Sequence, residues 1–270
     1  MSSADAIETF RRLHESGCFV IPNAWDVGSA KQLAGLGFKA LATTSSGAAW
    51  AHGRPDGGLT CDEMLAHIAD VVAATDLPVN ADFMNGYADD PDEVGVNVTR
   101  CVETGVAGLS IEDTRPDGSL YDTDLAVERV RAARAAIDAS GREVLLTTRC
   151  EVFLTTSEDP LSVARERLTA FAAVGGEAFF APGVVEPEHI EAIVAAVAPA
   201  PVNVLVGPKH GTVADLAGMG VRRISVGGGL ARAAWGGFLR GARDLAENGS
   251  FGWLADAEPG GELNRFFAGQ

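Results

Sequence analysis

Pro78-Val-Asn-Ala-Asp82-Phe-Met-Asn-Gly86-Tyr87 reads as a short buried strand, residues 78–81, that runs out at a carboxylate into a glycine turn. Asp89-Asp90-Pro91-Asp92-Glu93 then opens a helix, with a cap, a proline at the first helical position and two acids beside the positive helix end. Enzymes built on parallel strands carry their reacting groups where such strands end. Leu109-Ser-Ile-Glu112-Asp113 repeats the layout, and Pro55-Asp56 supplies a third acid from the preceding loop. One such acid reads as a helix cap or a turn residue. Three at equivalent positions point to a shared site.

Working outward, further short apolar runs fall at 18–21, 38–42, 106–111, 144–148, 178–181, 202–206 and 223–226. Helical patterns separate them, one opened by the capping box Thr60-Cys-Asp-Glu63. With the opening stretch this gives eight strands alternating with eight helices, plus a helix over residues 4–15 in front. The strands read as continuous apolar runs, as a buried parallel sheet requires. The spacing predicts a (β/α)8 TIM-type barrel, which needs ~250 residues and would nearly fill a 270-residue chain. A doubly wound open sheet is the alternative, but no GxGxxG follows the first strand. We therefore expect a barrel domain over 1–248. A tail over 249–270, with Phe251, Trp253, Phe266 and Phe267, is expected to pack on the barrel or on a neighbouring subunit.

The formal charge of −16 argues against nucleic acid or an anionic membrane as partner. It leaves an anionic substrate open, because a local metal or arginine reverses the sign inside a cleft. The four cysteines stand singly without metal-type spacing, and no apolar run reaches the length of a membrane span. A soluble, cytoplasmic protein is expected. His67, in a helical pattern, reads as a packed or solvated histidine rather than a ligand.

Acids without a His or Cys cluster suit a hard, oxygen-loving cation, with Asp56, Asp82 and Glu112 as its candidate partners. Thr44-Ser45-Ser46-Gly47 is either an ordinary polar turn or a cradle of hydroxyls and N–H groups for a substrate anion. Arg149 ends an otherwise apolar strand. It serves anion recognition or a buried ion pair with Glu112 or Glu151.

Asn23-Ala-Trp-Asp26, Thr43-Thr-Ser-Ser-Gly47, Arg54-Pro-Asp-Gly57, Ala81-Asp82, Gly86-Tyr87, Ser110-Ile-Glu-Asp113, Thr148-Arg149, Ala181-Pro-Gly183, Pro201-Val-Asn-Val-Leu205 and Gly220-Val-Arg-Arg-Ile-Ser225 share an order and spacing. In these the chain resembles the isocitrate lyase/phosphoenolpyruvate mutase superfamily, up to about Phe251. The resemblance implies a Mg2+-dependent lyase (Mn2+ as a substitute) that makes or breaks C–C or C–P bonds beside a 2-oxo or 2-hydroxy acid through a pyruvate-enolate-like intermediate. It implies a homotetramer, or a dimer, with C-terminal helices exchanged between subunits. Asp82 would bind the metal directly, and Asp56 and Glu112 would act through water. Trp25, Thr44, Ser45, Ser46, Gly47 and Asn203 would bind a small carboxylate, and Arg149 would stabilise the transferred group.

Two departures stand out. The family carries a second acid two residues after the metal-binding aspartate, where this chain has Met84. The Lys-x-Cys-Gly-His segment of the isocitrate and methylisocitrate lyases is replaced by Asp113-Thr-Arg-Pro-Asp-Gly-Ser-Leu120. The expected activity is therefore a C–C lyase or decarboxylase. A phosphonate-processing mutase or hydrolase, or a weakened carboxylate-binding member, are the alternatives.

Overall fold

The computed structural model describes residues 2–269. The strands are β1 (Phe19–Ile21), β2 (Asn23–Ala24), β3 (Leu41–Thr43), β4 (Val79–Asp82), β5 (Gly108–Glu112), β6 (Leu145–Arg149), β7 (Ala178–Phe180), β8 (Val202–Leu205) and β9 (Arg223–Ser225). The helices are α1 (Ser3–Glu15), α2 (Val27–Gly35), α3 (Ser45–Ala51), α4 (Cys61–Ala73), α5 (Pro91–Glu103), α6 (Thr123–Ala139), α7 (Pro160–Ala172), α8 (Pro187–Val197), α9 (Val213–Gly218), α10 (Gly229–Asn248) and α11 (Gly260–Phe267).

All strands pair in parallel in the order β1-β9-β8-β7-β6-β5-β4-β3-β2. The two ends of that order, β1 and β2, are separated only by Pro22, so the sheet comes round on itself as a TIM-type barrel. One expected strand is thus two. Proline has no N–H to give the ladder, yet its carbonyl still accepts from Ala42 N–H at 2.9 Å. The first strand bends there and divides its pairing between β9 and β3.

The capping signals act as read. Thr60 and Glu63 form a reciprocal capping box on α4, and Asp90 accepts from Asp92 and Glu93 N–H with Pro91 in the first turn of α5. His67 is buried on α4. Thr44 to Gly47 is not a loop, however. Thr44 caps α3, which continues through Ala48, Ala49 and Trp50.

Alternation along a strand sends successive side chains to opposite faces. Val79, Ala81, Leu109, Ile111 and Leu146 are buried in apolar surroundings, while Asn80, Asp82, Ser110, Glu112, Asn203, Arg223 and Ser225 line the interior cavity. The interior is polar, which a reading of apolar runs does not anticipate. Helix α1 lies against the N-terminal ends of the strands. Phe10 is fully buried, and a Cβ at Gly108 would stand 2.6 Å from its ring, so only glycine fits there.

The chain divides into two compact units, residues 1–228 and 229–270. The second groups α10 with the tail. Within it Trp253 packs on Gly241, where a Cβ would stand 2.9 Å from the ring, and Trp235 meets Phe238 edge-on. Among the described residues no helix is long and apolar enough to cross a membrane. The four cysteines are free, Cys101 and Cys150 buried and Cys18 and Cys61 half-buried.

Candidate active site

The C-terminal ends of β4, β5 and β6 bring Asp82, Glu112 and Arg149 to the mouth of one cavity of about 280 Å³. Register dictates this, because Glu112 is directly opposite Arg149 on adjacent strands. Arg149 is the centre of the cluster. Its Nη1 donates to Asp82 Oδ1 at 2.8 Å, its Nε to Glu151 Oε1 at 2.7 Å, and its Nη2 approaches Glu112 Oε2 at 2.9 Å. The guanidinium also lies 5.1 Å from the Phe180 ring centre. Both sequence readings of Arg149 as an ion-pair partner are met at once, and Asp82 is a third.

Asp82 Oδ2 accepts from both the N–H and the hydroxyl of Ser45, each at 2.8 Å. The Ser45 hydroxyl also reaches Asp56 Oδ1 at 3.5 Å. The start of α3 therefore faces the acids, as a helix N-terminus favours. Four carboxylates (Asp56, Asp82, Glu112, Glu151) line the cavity around one interior guanidinium at this level. Burial, then the neighbouring Glu151, Asp82 and Asp56, pushes Glu112 up to about 8 against the pull of Arg149. Burial and Asp82 also raise Asp56. This is an excess of negative charge.

Thr44, Ser45, Ser46 and Asn203 line the same cavity; Gly47 and Trp25 are not part of its lining. Gly47 N–H is held by the Thr44 hydroxyl, and Trp25 N–H by the Ser29 hydroxyl. Sequence reasoning gave no role to several lining residues. Asn23 Oδ1 accepts from Val226 and Gly227 N–H, and its amide donates to Thr43 O, so it sutures β2, β3 and the turn after β9. Asn80 and Ser110 lie two residues before the two strand-end acids, a period-2 signal that would have found them. Asn80 Oδ1 is buried without a partner among the described residues.

Met84 sits in the turn after β4 with φ 48, a left-handed conformation that is uncommon for a side-chain-bearing residue. Its carbonyl accepts from Glu112 N–H at 2.9 Å, so the turn holds the backbone of a neighbouring acid. Asp56, Met84 and Glu112 also line a second cavity of about 480 Å³, with Tyr87, Asp89 and Arg115 further out. The loop after β5 is fixed from beneath. Arg167 on α7 donates to Asp113 Oδ2 at 2.7 Å and to Tyr121 O at 2.7 Å, and Asp113 Oδ1 accepts from Glu151 N–H at 2.9 Å.

A parallel barrel with acids and an arginine at the C-terminal strand ends is the arrangement of a (β/α)8 enzyme. Residues 10–246 match the family model described as phosphoenolpyruvate phosphomutase, and the chain belongs to that family, within the isocitrate lyase/phosphoenolpyruvate mutase superfamily. A crystal structure from Burkholderia cenocepacia J2315, provisionally assigned as a lyase/mutase, is 45% identical over 98% of this chain and 97% of that one, with TM-score 0.95. An oxaloacetate decarboxylase of Paraburkholderia xenovorans (strain LB400) is 32% identical over 78% of this chain and 71% of its own length. A structure of oxaloacetate acetylhydrolase with its product oxalate is 25% identical, covers 98% and 94% of the two chains, and has TM-score 0.87.

Proposed function

We propose that this protein is a lyase that breaks a carbon–carbon bond in a small 2-oxo or 2-hydroxy carboxylate, as a decarboxylase or a related C–C lyase. The observation that carries the reading is the Arg149-centred cluster of Asp82, Glu112 and Glu151 in a cavity of about 280 Å³, a volume that suits a small acid. Relatives acting on oxaloacetate support it.

The donor set fits a hard divalent cation in charge and in chemistry. Among the described residues no three His, Cys, Asp or Glu side chains stand close enough to hold one ion together. One direct carboxylate with bound waters is what remains, and that is the usual habit of Mg2+. Asp82 would hold Mg2+ (or Mn2+) directly, with Asp56 and Glu112 reached through water. A cation bound there supplies charge stabilisation for an enolate oxygen.

The chain's own groups do the rest. Ser45 orients Asp82 through two hydrogen bonds. Thr44, Ser45 and Ser46 present hydroxyls, and α3 its N-terminus, to a substrate carboxylate. Arg149, clamped by three carboxylates, keeps its guanidinium fixed toward the position where negative charge develops. Asn203 offers a carboxamide from the opposite wall. The second cavity, reached past Met84, gives a substituent room to extend. The test is pyruvate release from oxaloacetate, substituted malates and phosphonopyruvate, with and without Mg2+. Release from phosphonopyruvate alone would favour C–P chemistry, and release from none would sink the lyase reading.

Met84→Glu separates two roles for the departure from the family pattern. The left-handed backbone accepts either side chain at similar cost, so the change tests chemistry and not strain. If a missing carboxylate weakens cation binding, the variant gains ~10–100-fold in Mg2+ affinity. If Met84 packs against an apolar part of the substrate, kcat/KM falls even where Mg2+ affinity rises. Unchanged or weaker Mg2+ binding on titration disposes of the weakened-site account.

The unit 229–270 exposes Trp235, Phe238, Leu239, Leu245, Phe251, Leu254 and Phe267. Large exposed apolar side chains gathered in one unit support its being an interaction surface. We expect a homo-oligomer that buries it against another copy, a tetramer or a dimer. Light scattering of the full chain checks this, and a monodisperse monomer refutes it.

A further inference from the structure

Beneath the acidic cluster lies a second arginine with a different environment. Arg223 opens β9, is 3% exposed, and its side chain lines the interior cavity. Its Nε donates to Asn203 Oδ1 at 2.9 Å, its Nη2 to the Thr147 hydroxyl at 3.0 Å, and its Nη1 meets His14 Nε2 at 3.2 Å. Every one of these partners is neutral. His14 is near Phe10 O through Nδ1 at 2.8 Å, which leaves Nε2 as the acceptor, and burial followed by Arg223 holds its pKa down at about 3. No carboxylate pairs with Arg223 among the described residues.

A buried guanidinium without a counter-ion is costly, and an apolar side chain of similar volume would be as stable or more so. Stability therefore gives no reason for the arginine. Position does. Thr147 and Arg149 share one face of β6, two residues apart, so the Arg223 contact lies about 7 Å below the Arg149 level along the barrel. Both arginines line the one cavity in which a small acid would sit. The Asn203 carboxamide is fixed at both ends there, its oxygen by Arg223 and its nitrogen by donation to the Ser225 hydroxyl at 2.9 Å.

We propose that Arg223 is a positioning residue of the carboxylate pocket: it locks the Asn203 carboxamide and sets a positive charge on the pocket floor whose counter-ion is the bound anionic substrate. The proposal rests on the small-carboxylate reading of the cavity and adds the source of its anion selectivity. The three neutral partners tie the guanidinium in place without cancelling its charge. Binding an anion above it completes an ion pair that none of its three side-chain partners supplies.

The test is calorimetric titration of oxalate, with Mg2+ present, into the parent, Arg223→Met and Arg223→Lys, each accompanied by a thermal melt. Arg223→Met is expected to melt within a few degrees of the parent or above it, and to lose ~10–100-fold in oxalate affinity. Arg223→Lys keeps the charge, but one ammonium cannot hold Asn203, His14 and Thr147 together, so an intermediate loss is expected. Parent-like oxalate affinity in either folded variant overturns the proposal, as does a lowered melting temperature with affinity unchanged. Failure of the parent itself to bind oxalate overturns the small-carboxylate reading, and the proposal with it. If Arg223→Met does not fold, Arg223→Lys decides by the same criterion.

Discussion

Asp82→Ala is expected to abolish Mg2+ binding and to lower kcat/KM by at least ~10²–10³-fold while the barrel stays folded. Removing the side chain deletes the acceptor of two Ser45 hydrogen bonds and one of the three carboxylates on Arg149. The guanidinium retains Glu112 and Glu151. Relief of repulsion among four clustered acids offsets part of the lost bonding, so the stability change should be small beside the functional one. A Mg2+ titration and a thermal melt on the same sample check both halves. Undiminished Mg2+ affinity would remove Asp82 from the metal-binding role.

The largest stability effect is expected at a distance from Asp82. Arg167→Met leaves Asp113 buried and 3% exposed without its partner, and it also removes donors to Tyr121 O and the Thr123 hydroxyl. Breaking a buried pair from one side costs ~3–5 kcal/mol. For a chain of this size that corresponds to a melting temperature lower by about 10 °C. Because Asp113 also holds Glu151 N–H, activity should fall with it, and Asp113→Leu combined with Arg167→Met should recover part of the stability. A single variant melting within two or three degrees of the parent, about the noise expected for a surface change, would show that the pair does not pin this loop.

The fold was legible where physics writes in single residues. Caps at Thr60 and Asp90, prolines in first helical turns and acids at strand ends all act locally, so a linear reading finds them. Asp82, Glu112 and Arg149 stood out because each is a charge at the end of an apolar run. Their mutual contacts come from register between strands, which spacing alone does not give. Three features stayed hidden for identifiable reasons. Ser45-Ser46-Gly47 has turn composition, and the cap on Thr44 makes it a helix. Asn23, on β2, works by bonding the backbone of two other segments, β3 and the turn after β9, a role that its place in a motif does not reveal. Arg223 opens the run 223–226, which was read only as a strand with no role for its charge, and the structure turns that side chain into the barrel.

Helix α1 has a consequence for how the site comes into being. His14 and Arg223 meet across 209 residues of chain, and Phe10 lies under Gly108. The pocket floor thus joins the beginning of the chain to its last barrel strand. During synthesis the acids of β4 and β5 emerge early, but the floor cannot form until β9 has left the ribosome and closed on α1. Contacts of such long sequence separation form slowly. A nascent chain halted before Arg223 would carry Asp56, Asp82 and Glu112 but only part of the cavity they line, so the cavity is completed only once β9 has been made.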